Sequence, residues 1–319
     1  MAVERGWTAT AAGRKPGTAG HRAARAHLER RFSELGLVGY PGLDGFRHTY
    51  RASDGIAMTN LIGVLPGTDR SLRPILLGAH YDSVIEAPCA DDNAAAVAVM
   101  LEVARRLASR PTGRDVVIAA FDAEEPPYFQ RGDMGSDRFV AEALAGPVHL
   151  AVILDLVGHA VTVPGLSVDP DLVFVTGAES HPMLPGTLAD LDLPVVAAAQ
   201  SRIGDYSDYA AFRKAGAPYL FFSCGEWAHY HRPSDHPDLL DHAKMARLAA
   251  DLEKVLRRAA GVSTEYHAMA ECTDFEVATM ERAFGADVLA AVAGMLGRPG
   301  YRRAADLTAI VDGLRGRLR

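Results

Sequence analysis

The chain has 319 residues, is 49% hydrophobic, and carries 33 Lys plus Arg against 40 Asp plus Glu. That apolar content supports a buried core and excludes intrinsic disorder. The mild acidity, with no basic stripe, excludes a nucleic-acid partner, and no apolar run is long enough to span a membrane.

The N-terminal Met1-Ala2-Val3-Glu4-Arg5-Gly6-Trp7 lacks the apolar core of a signal peptide. Cys89, Cys224 and Cys272 form no Cys-x-x-Cys pair. An odd number of thiols suits a reducing compartment, so a cytoplasmic location is expected. A helix is expected over about 17–36, with Ala24, Leu28, Phe32 and Leu35 on one face and Gly36 as its stop. Strands follow at Phe46–Arg51 and Met58–Leu65, the second ended by Pro66-Gly67. The apolar run from Pro74 ends on His80, and a helical stretch covers Asn93 to Ala108. Two more buried strands, Val116–Phe121 and Leu150–Leu154, end at Asp122 and Asp155. Further strands are expected at Leu172–Val175 and Pro218–Phe222, and helices near His181–Leu191 and Ser207–Ala215. A long amphipathic helix closes the unit at Asp238–Ala260. Gly261-Val262-Ser263-Thr264 then reads as a boundary before two or three helical segments at about 274–296 and 301–318.

This alternation predicts an α/β fold: a three-layer α/β/α arrangement on a mixed, mostly parallel twisted sheet, plus a C-terminal helical extension. The expected domains are 1–262 and 263–319, the second packed on the first or placed at a contact in a homo-oligomer. In open α/β sheets, sites form at the carboxyl ends of strands near a topological switch point. Here three apolar strands each deliver an imidazole or carboxylate at that end. Packing does not explain this, because an unpartnered buried carboxylate costs several kcal/mol.

Five segments carry the chemistry: His80-Tyr81-Asp82-Ser83, Ala90-Asp91-Asp92-Asn93, Asp122-Ala123-Glu124-Glu125, Leu154-Asp155-Leu156-Val157-Gly158 and Tyr230-His231-Arg232-Pro233-Ser234-Asp235. Zinc takes imidazole nitrogen and carboxylate oxygen, and a pair of ions about 3.5–4 Å apart can share a bridging carboxylate. Co²⁺ or Mn²⁺ would accept the same donors. Any one segment alone says little, since Glu124-Glu125 by itself reads as a solvated acidic turn. Cys89, three residues before Asp92, is read as a buried thiol rather than a ligand or nucleophile.

At these residues the chain resembles the co-catalytic zinc aminopeptidases, the family of bacterial leucyl aminopeptidases and aminopeptidase Y. That family also contains glutaminyl cyclases and glutamate carboxypeptidase-like enzymes. The resemblance starts at Arg14-Lys15-Pro16-Gly17-Thr18 and runs to about Leu240. It implies two zinc ions, one held by His80 and Asp155, the other by Glu125 and His231, with Asp92 bridging. Asp92 is chosen over Asp91 because the family's bridging Asp directly precedes the Asn position, here Asn93; a cis peptide between the two is implied as well. Glu124 would be the general base and acid, and Asp82 would orient the His80 imidazole. Asp208, in Ser207-Asp208-Tyr209, would lie outside the ligand set. Tyr230 is either an oxyanion donor or a packed ring. His229 reads as a rim residue and His159 as an ordinary histidine.

The chain departs from the family at 126–134, an insertion where Tyr128 and Phe129 would shape a pocket at the site rim. Ala94-Ala95-Ala96 stands where the family tends to have Ser-Gly. The activity the resemblance implies is removal of the N-terminal residue from a peptide or small aminoacyl substrate by a metal-bridging hydroxide. The alternative is a single-zinc glutaminyl-peptide cyclotransferase, for which Asp92, Glu125 and His231 would suffice. Cyclases have Trp before the last His, where this chain has Tyr230, which favours the peptidase.

Overall fold

The computed structural model describes residues 13–262 and 272–318. Met1–Trp7 and the Ser263-Thr264 half of the expected boundary lie outside them. Among the described residues nine strands form one sheet: β1 (Val38–Gly39), β2 (Arg47–Arg51), β3 (Ala57–Leu65), β4 (Ile75–His80), β5 (Val116–Phe121), β6 (Leu150–Leu154), β7 (Val173–Thr176), β8 (Val195–Ala197) and β9 (Tyr219–Ser223). Their spatial order is β1-β3-β5-β4-β6-β9-β7-β8, with β2 also paired on β3. The centre, β5-β4-β6-β9, is parallel, while β3 and β7 run antiparallel to it on either flank. The sheet is therefore mixed and mostly parallel at its centre, as expected.

Both faces of the central strands are buried, which is why these segments read as continuous apolar runs rather than alternating ones. Along β5, Val116, Ile118 and Ala120 join one core, and Val117, Ala119 and Phe121 join the other. The first core packs beneath α1 (Ala19–Glu34), α2 (Ala96–Ser109), the single turn α4 (Leu184–Thr187) and α7 (His242–Ala260). The second packs beneath α3 (Gly135–Glu142) and α6 (Tyr209–Lys214). A short helix α5 (Gln200–Ile203) follows β8. Beyond it in sequence, α8 (Thr273–Phe284), α9 (Ala286–Met295) and α10 (Ala304–Leu318) form the C-terminal extension. Val277, Met280, Leu289, Leu307 and Ile310 of these helices bury against Leu172, Val196 and Ala198 at the β7–β8 end of the sheet. Gly285, at φ +83, separates α8 from α9 in a conformation that L side chains rarely adopt. Among the described residues no helix is long and apolar enough to cross a membrane.

The topology fixes where a site can form. From β4 the chain crosses through α2 to β5 on one side, then through α3 to β6 on the other. The order reverses at β4, and the crevice opens at the carboxyl ends of β4, β5 and β6.

Two expected helices differ. The stretch from Asn93 begins as α2 only at Ala96, because Asp92 (φ −108, ψ 84) and Asn93 (φ −134, ψ 33) are not helical and the Asp92–Asn93 peptide is cis. Asn93 is tied elsewhere: its Nδ2 donates to the Leu154 carbonyl at 3.0 Å and its Oδ1 accepts from Leu156 N–H at 3.3 Å. Around His181–Leu191 only Leu184–Thr187 is α-helical. Pro182 and Pro185 lack the donors a longer helix would need.

Gly135 shows how closely the site's approach is packed. A Cβ there would sit 2.0 Å from Asn60 Oδ1 and 2.5 Å from the Asp122 carbonyl oxygen. Gly135→Ala is expected to destabilise the protein by roughly 1–3 kcal/mol through overpacking. The check is the midpoint of chemical denaturation, and an unchanged midpoint would contradict the packing described.

Candidate active site

His80 is the last residue of β4, Asp155 directly follows β6, and Glu124 and Glu125 come three and four residues after the end of β5. Asp92 comes from the non-helical lead into α2, and His231 from the loop after β9. Their six side chains converge. His80 Nε2 lies 3.4 Å from Asp92 Oδ1, 3.4 Å from Asp155 Oδ1 and 3.9 Å from Glu124 Oε2. His231 Nε2 lies 3.2 Å from the other Asp92 oxygen, Oδ2, and 3.1 Å from Glu125 Oε2. The Asp92 carboxylate therefore faces both imidazoles at once, one with each oxygen, and each imidazole also meets a second carboxylate. Ligand-type atoms of His80, Asp92 and Glu125 fall within 4.8 Å of one another, as do those of His80, Glu124 and Asp155.

Five polar atoms of these groups are buried yet make no hydrogen bond that would account for their position. His80 Nε2, Asp92 Oδ2, Glu125 Oε1, Asp155 Oδ1 and His231 Nε2 are all without a hydrogen-bond partner. Buried polar atoms are nearly always paired, so a cluster of orphans that also has the donor chemistry for a hard or borderline cation fits a metal centre. The electrostatics agree. Burial pushes the Glu124 carboxyl well above the usual range, with Asp155 and Glu125 adding to the rise. Burial and the Asp92 charge push Glu125 up to about 8. Although burial opposes it, the carboxylates of Asp92 and Glu125 raise His231 to about 10. The cluster resists holding this much negative charge, and divalent cations would supply the missing positive charge.

Other residues hold the six in place. Asp82 lies 3.3 Å from His80 Nδ1, and its two oxygens accept from the backbone N–H groups of Glu124 and Glu125 at 3.2 Å each. One carboxylate thus orients an imidazole and both glutamates. Asp235 accepts from the N–H of Asp91 at 2.9 Å and of Asp92 at 3.1 Å. The buried Arg14 guanidinium donates to the carbonyls of Tyr81, Pro88, Cys89 and Asp92, tying the whole 81–92 segment together. Backbone strain gathers at the same place: Cys89 (φ 43), Ala123 (φ 54), Leu156 (φ 54) and His231 (φ 56) are non-glycine residues in the left-handed region. Strain of this kind persists where the surroundings over-determine it, commonly at functional sites.

Asp91 turns away from the cluster, accepting from Gly158 N–H at 2.6 Å and lying 2.5 Å from His159 Nδ1. His159 is buried and stacks on Trp227 at 4.7 Å between ring centroids. His229 lies 2.9 Å from Ser234 Oγ, and the Tyr230 and His231 rings stack at 3.8 Å. Asp208 is buried, its carboxyl pushed up to about 7 chiefly by burial. Cys89 is a buried thiol pushed up to about 12 by burial and is not part of either ligand group.

A cavity of about 310 Å³ opens from the cluster. Asp92, Glu124, Glu125, Asp155, Tyr230 and His231 line one part of it. Phe129, Phe174, Ile203, Phe221, Met280 and Val311 are among its other lining residues. Within the 126–134 segment only one of the two expected rings does this. Tyr128 packs instead with Tyr50 and Met58 and donates to Asp54 at 2.7 Å. Sequence reasoning passed over Arg14 and the Asp235 carboxylate as supports, since hydrogen bonds to distant backbone leave no local signal. It also missed the C-terminal helices as cavity lining.

Fold and cluster together give a mixed α/β protein with a candidate metal cluster at the sheet's switch point. Residues 60–256 match peptidase family M28, and the chain belongs to that family. It is 30% identical over 207 residues to the uncharacterized protein YfbL of Escherichia coli K12, covering 54% of this chain and 63% of that one. It is 30% identical over 183 residues to the probable lipoprotein aminopeptidase LpqL of Mycobacterium tuberculosis, covering 53% and 34%. The chain thus spans less than two thirds of the length of either relative. Its fold matches that of a Zn-dependent exopeptidase from Parabacteroides distasonis, with a TM-score of 0.60 at 17% identity over 77% of this chain and 92% of that one. A Porphyromonas gingivalis glutaminyl cyclase matches with a TM-score of 0.58 at 20% identity, over 76% and 91%.

If Asp235 fixes the backbone that presents Asp92, removing its carboxylate should weaken metal binding without touching a ligand. Asp235→Ala is expected to lower divalent-metal affinity about 10- to 100-fold. Competition against a chromogenic chelator measures this, and unchanged affinity would contradict the role.

Proposed function

We propose that the chain is a zinc-dependent aminopeptidase that hydrolyses the bond after the N-terminal residue of a peptide or small aminoacyl substrate. The observation that carries this reading is the Asp92 carboxylate, which offers one oxygen to the His80–Asp155 side and the other to the His231–Glu125 side. On this reading His80 and Asp155 would hold one zinc ion and His231 and Glu125 a second, with Asp92 available to both. Bound there, the ions supply Lewis acidity toward the scissile carbonyl and lower the pKa of the attacking water.

The chain's own groups do the rest. Glu124 sits beside the cluster, its Oε2 3.9 Å from His80 Nε2, and burial raises its carboxyl above the usual range; such a group can exchange a proton with the reacting atoms. It takes a proton from the attacking water as the oxygen bonds to the carbonyl carbon. It returns that proton to the amine nitrogen as the carbon–nitrogen bond breaks. Tyr230, which lines the cavity, offers a phenolic hydroxyl to the oxyanion. Asp82 keeps the His80 ring and the backbone of both glutamates in register.

Charge decides which end of a peptide enters. Asp92, Glu124, Glu125, Asp155 and Glu226 line the cavity, and among its described lining residues there is no Lys or Arg. These five carboxylates outnumber the four positive charges that two divalent ions would bring, so a positively charged N-terminus is favoured there, while a C-terminal carboxylate finds no Lys or Arg. A glutaminyl cyclase shares the fold, and a single ion on Asp92, Glu125 and His231 would serve it. That reading leaves unexplained the approach of His80 to the other oxygen of Asp92 and of Asp155 to His80.

Glu124→Gln should lower kcat for an aminoacyl p-nitroanilide by about 10²- to 10⁴-fold while zinc content stays the same. Near-normal turnover with full zinc would remove Glu124 from the reaction. Efficient pyroglutamate formation from an N-terminal Gln peptide by the unaltered protein would favour the cyclase instead.

A further inference from the structure

The cavity that the carboxylates line is also lined by residues outside the family-matched segment 60–256. Met280 of α8 and Val311 of α10 form part of its lining, beside Ile203 at the end of α5 and Val196 of β8. This wall is held by specific bonds. Thr279 Oγ1 of α8 accepts from Ala197 N–H at 3.0 Å, and Glu276 of α8 accepts from Ala199 N–H at 2.7 Å. Side chains of α8 thereby satisfy backbone donors at the end of an edge strand.

Arg202 of α5 joins both helices to that strand. Its Nε and Nη2 donate to the two Glu276 oxygens at 2.9 and 3.0 Å. Its Nη1 donates to the Ala304 carbonyl and to Thr308 Oγ1 of α10, both at 2.8 Å. The Glu276 side chain is only 1% exposed and that of Arg202 9%. A bidentate pair this buried holds its geometry, because breaking it strands a charge. Ile203, the residue after Arg202, is thereby set against the cavity. The extension is built into the site rather than appended to it.

We propose that the C-terminal helices form the far wall of the substrate pocket and set which side chain it admits. The side chain is that of the residue bearing the free amine; it is apolar, and Met280 and Val311 limit its length. This deepens the aminopeptidase reading above and rests on it. The amine is drawn to the carboxylate end, and the side chain then points into a region lined by Phe174, Ile203, Phe221 and Met280. None of these four residues is charged, so a charged side chain lodged among them would lose its hydration.

The test uses Met280→Trp, which shortens the pocket, and the double variant Met280→Ala with Val311→Ala, which lengthens it. The ratio of kcat/KM for leucine p-nitroanilide to that for alanine p-nitroanilide should fall about 10- to 100-fold in the first. In the second, naphthylalanine p-nitroanilide should gain on leucine by about tenfold. Thermal stabilisation by L-leucinol and L-alaninol, which carry the amine and side chain but no scissile bond, gives a readout independent of turnover. Leucinol should stabilise the natural protein more than alaninol does, and Met280→Trp should erase that difference. If both variants fold cooperatively and neither substrate nor amino-alcohol preference moves, the helices are not the specificity wall. If the natural protein cleaves no aminoacyl anilide but the amino-alcohol preference shifts as stated, the wall stands and the reaction assignment falls. Should Met280→Trp fail to fold, the alanine pair tests the same wall in the opposite direction.

Discussion

Four buried carboxylates pressed around two imidazoles cannot all ionise unless positive charge is brought to them. Asp92, Glu124, Glu125 and Asp155 share one crevice, each 7% exposed or less. Burial drives three of them toward the protonated form, while Asp92, flanked by His231 and His80, is held below the usual range against its own burial. The rest of the molecule is arranged around this conflict. Asp235 and Arg14 grip the backbone on either side of Asp92 instead of neutralising its carboxylate, so its two oxygens stay free to face both imidazoles. On the proposed reading, divalent cations would resolve the conflict while these supports stay in place.

The fold makes this affordable. Parallel strands buried on both faces stop together at one end of the sheet, so side chains just past β4, β5 and β6 arrive at the same depth from well-separated parts of the sequence. The left-handed residues Ala123, Leu156 and His231 then turn the backbone sharply at those exits. The central sheet supplies rigidity, and the strained exits supply aim.

Much of this was legible in the sequence for a physical reason: apolar strand runs that end abruptly on His80, on Glu124-Glu125 and on Asp155 announce both strand and site. Helix α1 was legible from the spacing of Ala24, Leu28 and Phe32. The break before α2 was not, because Ala94-Ala95-Ala96 continues a strong helical composition while Asn93 is claimed by β6 and the segment after it. Strands β1 and β8, of two and three residues, are too short for any period to show. The extension's helices were legible as helices, but their part in the cavity was not. Met280 and Val311 read as ordinary core residues, and only the Arg202–Glu276 clamp reveals which sheet edge they cover.

The most direct measurement of the central claim is anomalous scattering at the zinc edge from crystals of the zinc-loaded protein. This account predicts two peaks per chain, one on each side of the Asp92 carboxylate, the first in reach of His80 and Asp155 and the second in reach of His231 and Glu125. A single peak confined to the His231–Glu125 side, or peaks away from Asp92 altogether, would contradict it.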